Sequence, residues 1–221
     1  MTLHTHGLGI DFKNGKSLKF PDLSLVSGET LLIHGPSGSG KTSLLHMICG
    51  LMNPSFGEVK ILNQNIQKLS KSELDFFRGQ HIGICLQRPI FIKSLTVLEN
   101  LILARHLAKK RVSDHKIVIN WLEKFNLINL KNRKTFSLSL GEQQRLMFIR
   151  ALVTEPDLIL ADEPTSSLDD VNAELIADVL LNSCHDQKAT LVVVSHDARL
   201  KSKFSNQIPL RLIYFIWLGK I

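Results

Sequence analysis

The sequence has 221 residues, of which 44% are hydrophobic and 21% charged, and its formal net charge is +7. This ordinary globular mixture excludes a mostly disordered chain and predicts a single domain over residues 1–221. No run of about 18 apolar residues occurs and the first residues show no secretory signal, so neither a membrane span nor export is expected. The positive charge allows nucleic acid, an anionic membrane surface or an acidic small molecule as a partner.

The first third of the chain alternates short apolar runs with turn residues. Strands are predicted over residues 8–12, 23–25 and 30–33. A glycine-rich stretch and then a helix follow, and the turn-rich segment 53–57 ends that helix. The apolar side of the helix comprises Leu44, Leu45, Ile48 and Leu51.

The rest of the chain changes from helical to strand patterns. Residues 95–130 are mainly helical in pattern, and Thr96 with Glu99 forms a capping-box start. Residues 158–161 and 191–194 are apolar without alternation, which is typical of central strands covered on both faces. The prediction is an α/β fold with a mostly parallel central sheet, an N-terminal antiparallel β part and an inserted helical subdomain over about residues 88–137.

Three cysteines are spread along the chain. They are few, odd in number and unclustered, which argues against a disulfide framework and against a zinc site. We therefore expect small buried apolar side chains in a reducing compartment. The three are Cys49, Cys85 and Cys184.

A phosphate-binding motif lies between the third strand and the first helix. Residues 35–42 fit G-x-x-x-x-G-K-[ST] in full and so predict the fold of a P-loop NTPase. Glycines let the backbone curl so that its N–H groups and the positive end of the helix face an anion. The predicted nucleotide contacts here are Gly35, Pro36, Ser37, Gly38, Ser39, Gly40, Lys41, Thr42 and Ser43. Lys41 supplies charge to the β- and γ-phosphates, and the Thr42 hydroxyl can ligate Mg²⁺.

Polar residues follow the apolar strands. Asp162 and Glu163 come directly after residues 158–161, where open α/β sheets bind ligands. Asp162 can hold Mg²⁺, and Glu163 can orient or deprotonate an attacking water. His196 follows residues 191–194 and can contact a γ-phosphate, while Gln87 follows residues 82–86 and can reach a metal-bound water.

Together these motifs resemble the ATP-binding cassette family, in the family's order from residue 35 to residue 196. Residues 81–87 and 95–100 are most similar to the lipoprotein-releasing and macrolide-exporter branch. The motifs that carry the resemblance are the phosphate loop 35–42, Gln87, the signature-like segment 138–145, the pair Asp162–Glu163, residues 167–170 and His196.

The resemblance implies a role for each matching residue. Phosphates are held by Lys41 and the backbone of 38–42, and Mg²⁺ by Thr42, Gln87 and Asp162. The catalytic positions are Glu163 as general base, His196 at the γ-phosphate and Gln87. Ser139 and Gly141 act on ATP bound to a second subunit, Asp169 lies in a loop that communicates across that interface, and Phe12 stacks on adenine.

The resemblance further implies a motor subunit with ATP and Mg²⁺ as cofactors. Its partners are an integral-membrane permease and a second cassette, most simply a second copy, and no nucleic acid is expected. The subunit would be cytoplasmic and peripheral on the inner face of the membrane, docked through about residues 88–134. Cargo, transport direction and homodimer versus heterodimer stay open.

The sequence departs from the family pattern at two places. Leu140 stands where a first signature glycine is usual, and its side chain could crowd the opposite nucleotide or point away. Residues 211–221 are unusually apolar and could form a final strand, a membrane-partner contact or an altered tail. Pro209, just before them, fits only an edge or the end of a strand.

Two other functions are kept as alternatives. The basic charge allows a soluble cassette ATPase acting on nucleic acid, although no sustained heptads of a repair-type coiled coil occur. A non-hydrolysing nucleotide sensor would follow if Leu140 disrupts the composite site, which the phosphate loop of one subunit forms with Ser139 and Gly141 of the other. Against this, Glu163 and His196 fill both hydrolytic positions.

Overall fold

The computed structural model describes residues 1–12, 16–110, 115–166, 168–210 and 214–216. The strands, in chain order, are β1 Leu3–Asp11, β2 Lys16–Lys19, β3 Ser24–Leu25, β4 Thr30–His34, β5 Phe56–Ile61, β6 Gln64–Asn65, β7 Ile82–Cys85, β8 Leu158–Asp162, β9 Thr190–Ser195, β10 Gln207–Pro209 and β11 Tyr214–Ile216. The helices are α1 Lys41–Ile48, α2 Lys71–His81, α3 Val97–Leu107, α4 His115–Lys124, α5 Leu140–Leu152 and α6 Asp170–Gln187. Short 3₁₀ helices span Ile66–Lys68, Ile128–Leu130, Thr135–Ser137 and Ala198–Lys203.

The strands form two sheets. The first has the order β11-β2-β1-β5-β6, with β3 also paired to β1, and all its pairings are antiparallel. The second has the order β10-β4-β9-β8-β7 and is parallel throughout. This arrangement confirms the predicted fold class.

The parallel sheet brings the segments that follow β4, β7, β8 and β9 to one edge, because the carboxyl ends of parallel strands point the same way. Every residue of β8 and β9 is buried, as their apolar runs without alternation predict. β10 is an edge strand with Pro209 as its last residue, where the missing N–H of proline does no harm.

Helices α3, α4 and α5 lie between β7 and β8 in the chain and contribute to the core beside the parallel sheet. Leu101 of α3, Leu122 of α4 and Phe148 of α5 belong to the same buried cluster as Leu191 of β9. The predicted capping box of Thr96 and Glu99 begins α3. Among the described helices, none combines the length and apolar character needed to cross a bilayer.

Some sequence predictions need correction. Leu51 does not belong to the buried side of α1; the helix ends at Ile48, and Leu51 follows a turn at Gly50 (φ 68°) with half of its surface exposed. Strand β5 and helix α2 were not predicted at all. Of the apolar segment 211–221, residues 214–216 extend the antiparallel sheet beside β2, and the others lie outside the described residues.

The cysteines are as predicted. All three are free and buried, and burial raises the pKa of Cys49 to about 11 and of Cys184 to about 12. Their thiols stay protonated and unreactive at neutral pH.

Candidate nucleotide site

The phosphate loop curls between β4 and α1. Gly40 caps α1 with φ 89°, a left-handed conformation that glycine adopts without steric cost. A Cβ on Gly35 would lie 2.4 Å from the Leu210 carbonyl oxygen, so only glycine fits there. Ser39 is fully buried, and its hydroxyl has no hydrogen-bond partner among the described residues. The loop is therefore closely packed against the residue that follows β10.

Lys41 places a cation inside this curl. Its Nζ donates to the carbonyl oxygens of Gly35 (2.9 Å) and Pro36 (3.0 Å) and lies 3.7 Å from Glu163 Oε1. The side chain is only 6% exposed. A buried ammonium held by three oxygens is well placed to meet an anionic ligand.

Asp162, the last residue of β8, is 2% exposed. Burial raises the pKa of its carboxyl and the nearby charge of Glu163 adds to this, while a hydrogen bond from the Thr42 hydroxyl opposes it. Its Oδ1 has no hydrogen-bond partner within the described part of the chain. A buried carboxylate oxygen without a partner, beside a hydroxyl, fits a divalent cation.

The described residues contain no group of three or more His, Cys, Asp or Glu side chains that could hold a metal. An all-protein metal cage is therefore excluded for that part of the chain. Mg²⁺ usually binds through one or two protein ligands and substrate phosphates, which agrees with Asp162 and Thr42 at the foot of the phosphate loop.

Glu163 has an unusual backbone and a crowded carboxylate. Its φ is 49° and the residue is 7% exposed. Oε2 accepts from Ser195 Oγ (2.7 Å), both oxygens accept from the His196 backbone N–H (3.2 Å each), and Oε1 lies 2.7 Å from His196 Nδ1. Since a carboxylate only accepts, Nδ1 carries the hydrogen. The strand end of β9 therefore orients Glu163.

The structure brings most of the predicted site residues around one cavity of about 260 Å³. They come from the phosphate loop, the segment after β7, and the ends of β8 and β9. The cavity is lined by Ser37, Gly38, Gly40, Lys41, Thr42, Ser43, Gln87, Glu163 and His196. Gly35 and Pro36 do not line the cavity themselves, but their carbonyls accept hydrogen bonds from Lys41, which does. Asp162 likewise accepts a hydrogen bond from Thr42.

Ser139 and Gly141 do not line this cavity. Ser139 caps α5 through a capping box with Glu142, and its N–H bond to that carboxylate (2.7 Å) lowers the pKa of Glu142. Leu140, the next residue, is 53% exposed. The positive end of α5 therefore lies beside exposed residues at the surface.

Phe12 also lies outside the cavity, 41% exposed just after β1. The residues that follow it, 13–15, are not among those described. Its predicted stacking on adenine stays a prediction.

Sequence reasoning missed a group of residues behind the cavity. Ser195 hydrogen-bonds Glu163, and the Asp197 backbone N–H donates to Ser195 Oγ (3.0 Å). Thr165 Oγ1 donates to Asp197 Oδ2 (2.6 Å), and Arg199 forks onto the same carboxylate. The only available signal was their place at the carboxyl ends of β8 and β9.

Comparison with known proteins identifies the family. Residues 18–166 match the family described as "ABC transporter". The chain belongs to the ABC transporter family. This membership confirms the predicted ATP-binding cassette, an ATPase that binds ATP and powers transport through a separate membrane permease.

Curated relatives agree with the predicted branch. A "Lipoprotein-releasing system ATP-binding protein LolD" from Legionella pneumophila (strain Lens) is 37% identical over 194 residues, covering 87% of this chain and 86% of the relative. One of the same name from Pseudoalteromonas translucida is 38% identical over 187 residues, covering 84% and 81%.

A solved structure has the same fold and was determined in a state that follows ATP hydrolysis. The "dimeric structure of a post-hydrolysis state of the ATP-binding cassette MJ0796 bound to ADP and Pi" aligns with a TM-score of 0.86 and 32% identity, covering 99% of this chain and 100% of that one. It supports ATP hydrolysis by this ABC cassette and a second cassette as its partner.

Proposed function

We propose that two copies of this cassette close head to tail around ATP, and that hydrolysis drives a permease that releases a lipoprotein. The observation that carries the proposal is the split of the site. One half, around Lys41, Asp162, Glu163 and His196, is assembled within the chain. The other, at Ser139 and Gly141, lies at the start of α5 and does not line that cavity; Ser139 is exposed and Gly141 half-buried.

Phosphate binding rests on the loop and on α1. The backbone N–H groups of residues 38–42 and the positive end of α1 face the triphosphate. Lys41 adds its charge to the β- and γ-phosphates, exchanging contacts with Gly35 and Pro36 for phosphate oxygens. Ser37 and Ser43, which also line the cavity, add polar contacts.

Mg²⁺ would be held by Thr42 and Asp162, with Gln87 reaching it from the rim of the cavity. When bound, the ion neutralises charge on the β- and γ-phosphates. Asp162 must be ionised for this role, and a bound cation would favour the ionised form against the burial that raises the pKa of its carboxyl.

Hydrolysis is assigned to Glu163. A water oxygen attacks the γ-phosphorus, the bond from that phosphorus to the β–γ bridging oxygen breaks, and Glu163 accepts the water's proton. ADP and inorganic phosphate are the products. Ser195 and the His196 backbone N–H keep the carboxylate aimed into the cavity, and the His196 ring is placed to contact the γ-phosphate.

The second cassette completes the site. The exposed start of α5 presents N–H groups and a positive helix end. Placed against the triphosphate of the opposite copy, Ser139 and Gly141 would stabilise charge on the side that the phosphate loop leaves open. ATP would then hold the dimer together, and conversion to ADP would release it.

The permease would dock in a groove of about 790 Å³ between α2, α3 and α5. Phe76 and Leu107 give it exposed apolar surface. Arg150 in the same groove donates to the Ile90 carbonyl and lies 5.1 Å from the Phe91 ring centroid. Since these residues closely follow Gln87, movement in the groove would reach the nucleotide cavity. The docked assembly would lie at the cytoplasmic face of the membrane.

The decisive test of the cycle is Glu163→Gln. We expect turnover to fall by about 100-fold or more while ATP binding is kept, because the amide cannot take the water's proton. Light scattering should show ATP-stabilised dimers. Glu155→Gln is the matched control, since Glu155 is another glutamate with a left-handed backbone (φ 50°). Native turnover of Glu163→Gln would remove Glu163 from its role.

Docking and cargo are tested together by co-expression with the permease from the same genome. Leu107→Asp should abolish co-purification with the permease and leave basal ATP hydrolysis unchanged. In proteoliposomes, the intact complex should hydrolyse ATP faster when an acylated lipoprotein is present than with its unacylated form. Equal rates with both would exclude the lipoprotein cargo.

A further inference from the structure

Arg199 lies in the 3₁₀ helix Ala198–Lys203, three residues after His196, and joins two segments of the site. Its guanidinium binds the Asp197 carboxylate through Nε (2.9 and 3.0 Å) and Nη2 (2.7 Å). It also donates to the carbonyl oxygens of Thr165 (3.2 Å) and Leu168 (3.3 Å) and to Asp170 Oδ1 (2.6 Å). Every nitrogen of this side chain therefore has a partner.

The partners on one side lie in the segment between β8 and α6 or, for Asp170, at the first residue of α6. We call residues 165, 166 and 168–170 the interface loop. Arg199 holds this loop by two backbone carbonyls and one carboxylate. Thr165, which is fully buried, adds a bond from its hydroxyl to Asp197.

The partners on the other side lead to the reacting centre. The Asp197 backbone N–H donates to Ser195 Oγ (3.0 Å), and Ser195 Oγ donates to Glu163 Oε2 (2.7 Å). Ser195 is fully buried, and the Asp197 side chain is only 9% exposed. A continuous chain of hydrogen bonds therefore runs from the interface loop to Glu163.

The geometry requires an arginine. A guanidinium presents five N–H donors in a planar fork, so it can hold a carboxylate and two carbonyls that diverge from it at once. A lysine ammonium in the same place could keep the charge pair with Asp197 but could not span both carbonyls of the interface loop.

We infer that Arg199 is a positioning residue that couples arrival of the second cassette at the interface loop to the placement of Glu163 and His196. The inference rests on the proposed dimer, in which the loop that holds Asp169 meets the second cassette, as the family resemblance implies. The ion pair between Arg199 and Asp197 alone would not connect the two segments. Arg199 connects them because it also binds two backbone carbonyls of the interface loop.

The test compares Arg199→Ala and Arg199→Lys with Lys201→Ala, an exposed lysine on the same 3₁₀ helix. We expect both Arg199 variants to lose about 10- to 100-fold in kcat, with KM and nucleotide Kd within about twofold of the parent because no phosphate contact is removed. In a Glu163→Gln background, Arg199→Ala should weaken ATP-dependent dimer formation at least fivefold. Lys201→Ala should change none of these values.

Several outcomes would overturn the inference. Parent-like kcat and dimer formation in both Arg199 variants would do so, as would full recovery by Arg199→Lys, since charge alone would then suffice. Equal losses in kcat and nucleotide affinity would indicate general damage to the fold and count against it too. If Glu163→Gln alone forms no ATP-dependent dimer, the proposed function fails instead, so the two failures are distinguishable.

Discussion

The phosphate loop and the start of α5 are the two places where we propose contacts to phosphate, but they differ in how their residues are bonded. Around the loop, Lys41 and Glu163 are buried and bonded to neighbours from three strand ends. At α5, the hydrogen bonds described for Ser139 go to residues of the first turn of its own helix, and Leu140 faces solvent. The contrast indicates that one chain positions the phosphate-loop residues and Glu163 by itself, whereas in the proposed function the start of α5 acts only when it meets a second cassette.

The largest effect on turnover should come from removing the charge of Lys41 at the phosphate loop. Lys41→Ala should reduce turnover by at least about 100-fold, because a preorganised cation at the phosphates is lost. Binding of a fluorescent ATP analogue should fall with it. The control is Lys60→Ala, which removes a half-buried lysine paired with Glu58 on the antiparallel sheet. Full affinity and turnover in Lys41→Ala would refute the site.

The next largest effect on turnover should come from a bulky side chain at the start of α5. Gly141 has room for a Cβ within its own chain, since an added Cβ meets only the flexible ends of Arg145 and Leu168, at 3.9 Å. Gly141→Leu should therefore fold and bind ATP normally yet lose about 10- to 100-fold in turnover through misplaced charge stabilisation. Normal turnover would mean that no partner approaches Gly141, and the start of α5 would then have no role at the nucleotide.

Leu140 sharpens the same comparison with a smaller change. Its side chain is about half exposed at the first position of α5 and can rotate away from an approaching nucleotide. Leu140→Gly should change turnover by less than about threefold, although helix propensity falls by about 1 kcal/mol or less. A rise of tenfold in the ATPase assay would show instead that Leu140 crowds the composite site.

The last effect is on stability rather than on turnover, and it concerns the hydrogen bonds between Asp197 and Arg199 behind the nucleotide cavity. The Arg199 hydrogen bonds lower the pKa of Asp197 from 3.8 to about 2. Because the folded-state value is depressed, the ionised carboxylate stabilises the fold above about pH 4, and this contribution disappears as pH falls to about 2. Asp197→Asn should lower the free energy of unfolding at pH 7 by about 1–2 kcal/mol after allowance for solvent screening. Denaturant titrations of parent and variant should converge at about pH 2.

Sequence reasoning succeeded where one local pattern carries the information. The loop 35–42, the pair Asp162–Glu163 and the buried strands each have a residue signature that survives without three-dimensional context. It failed for β5, whose residues alternate only weakly between buried and exposed. It also passed over α2, although Ser70 and Glu73 form a capping box there.

The connections behind the site could not be predicted for a different reason. Arg199 meets Thr165 and Leu168 across more than thirty residues of chain, so no short-range spacing announces the contact. Leu51 shows the opposite failure, because helical periodicity continued in the sequence after Gly50 had already ended the helix. Tertiary packing and backbone turns decided both cases.

The contact between Gly35 and Leu210 carries a practical consequence. Leu210 donates its N–H to His34, and its carbonyl lies where any side chain on Gly35 would have to go. Gene truncations that remove β10 would leave the outer side of β4 unpaired right beside the nucleotide pocket. Exposed strand edges recruit further strands, so we expect such shortened proteins to precipitate or self-associate rather than merely lose activity.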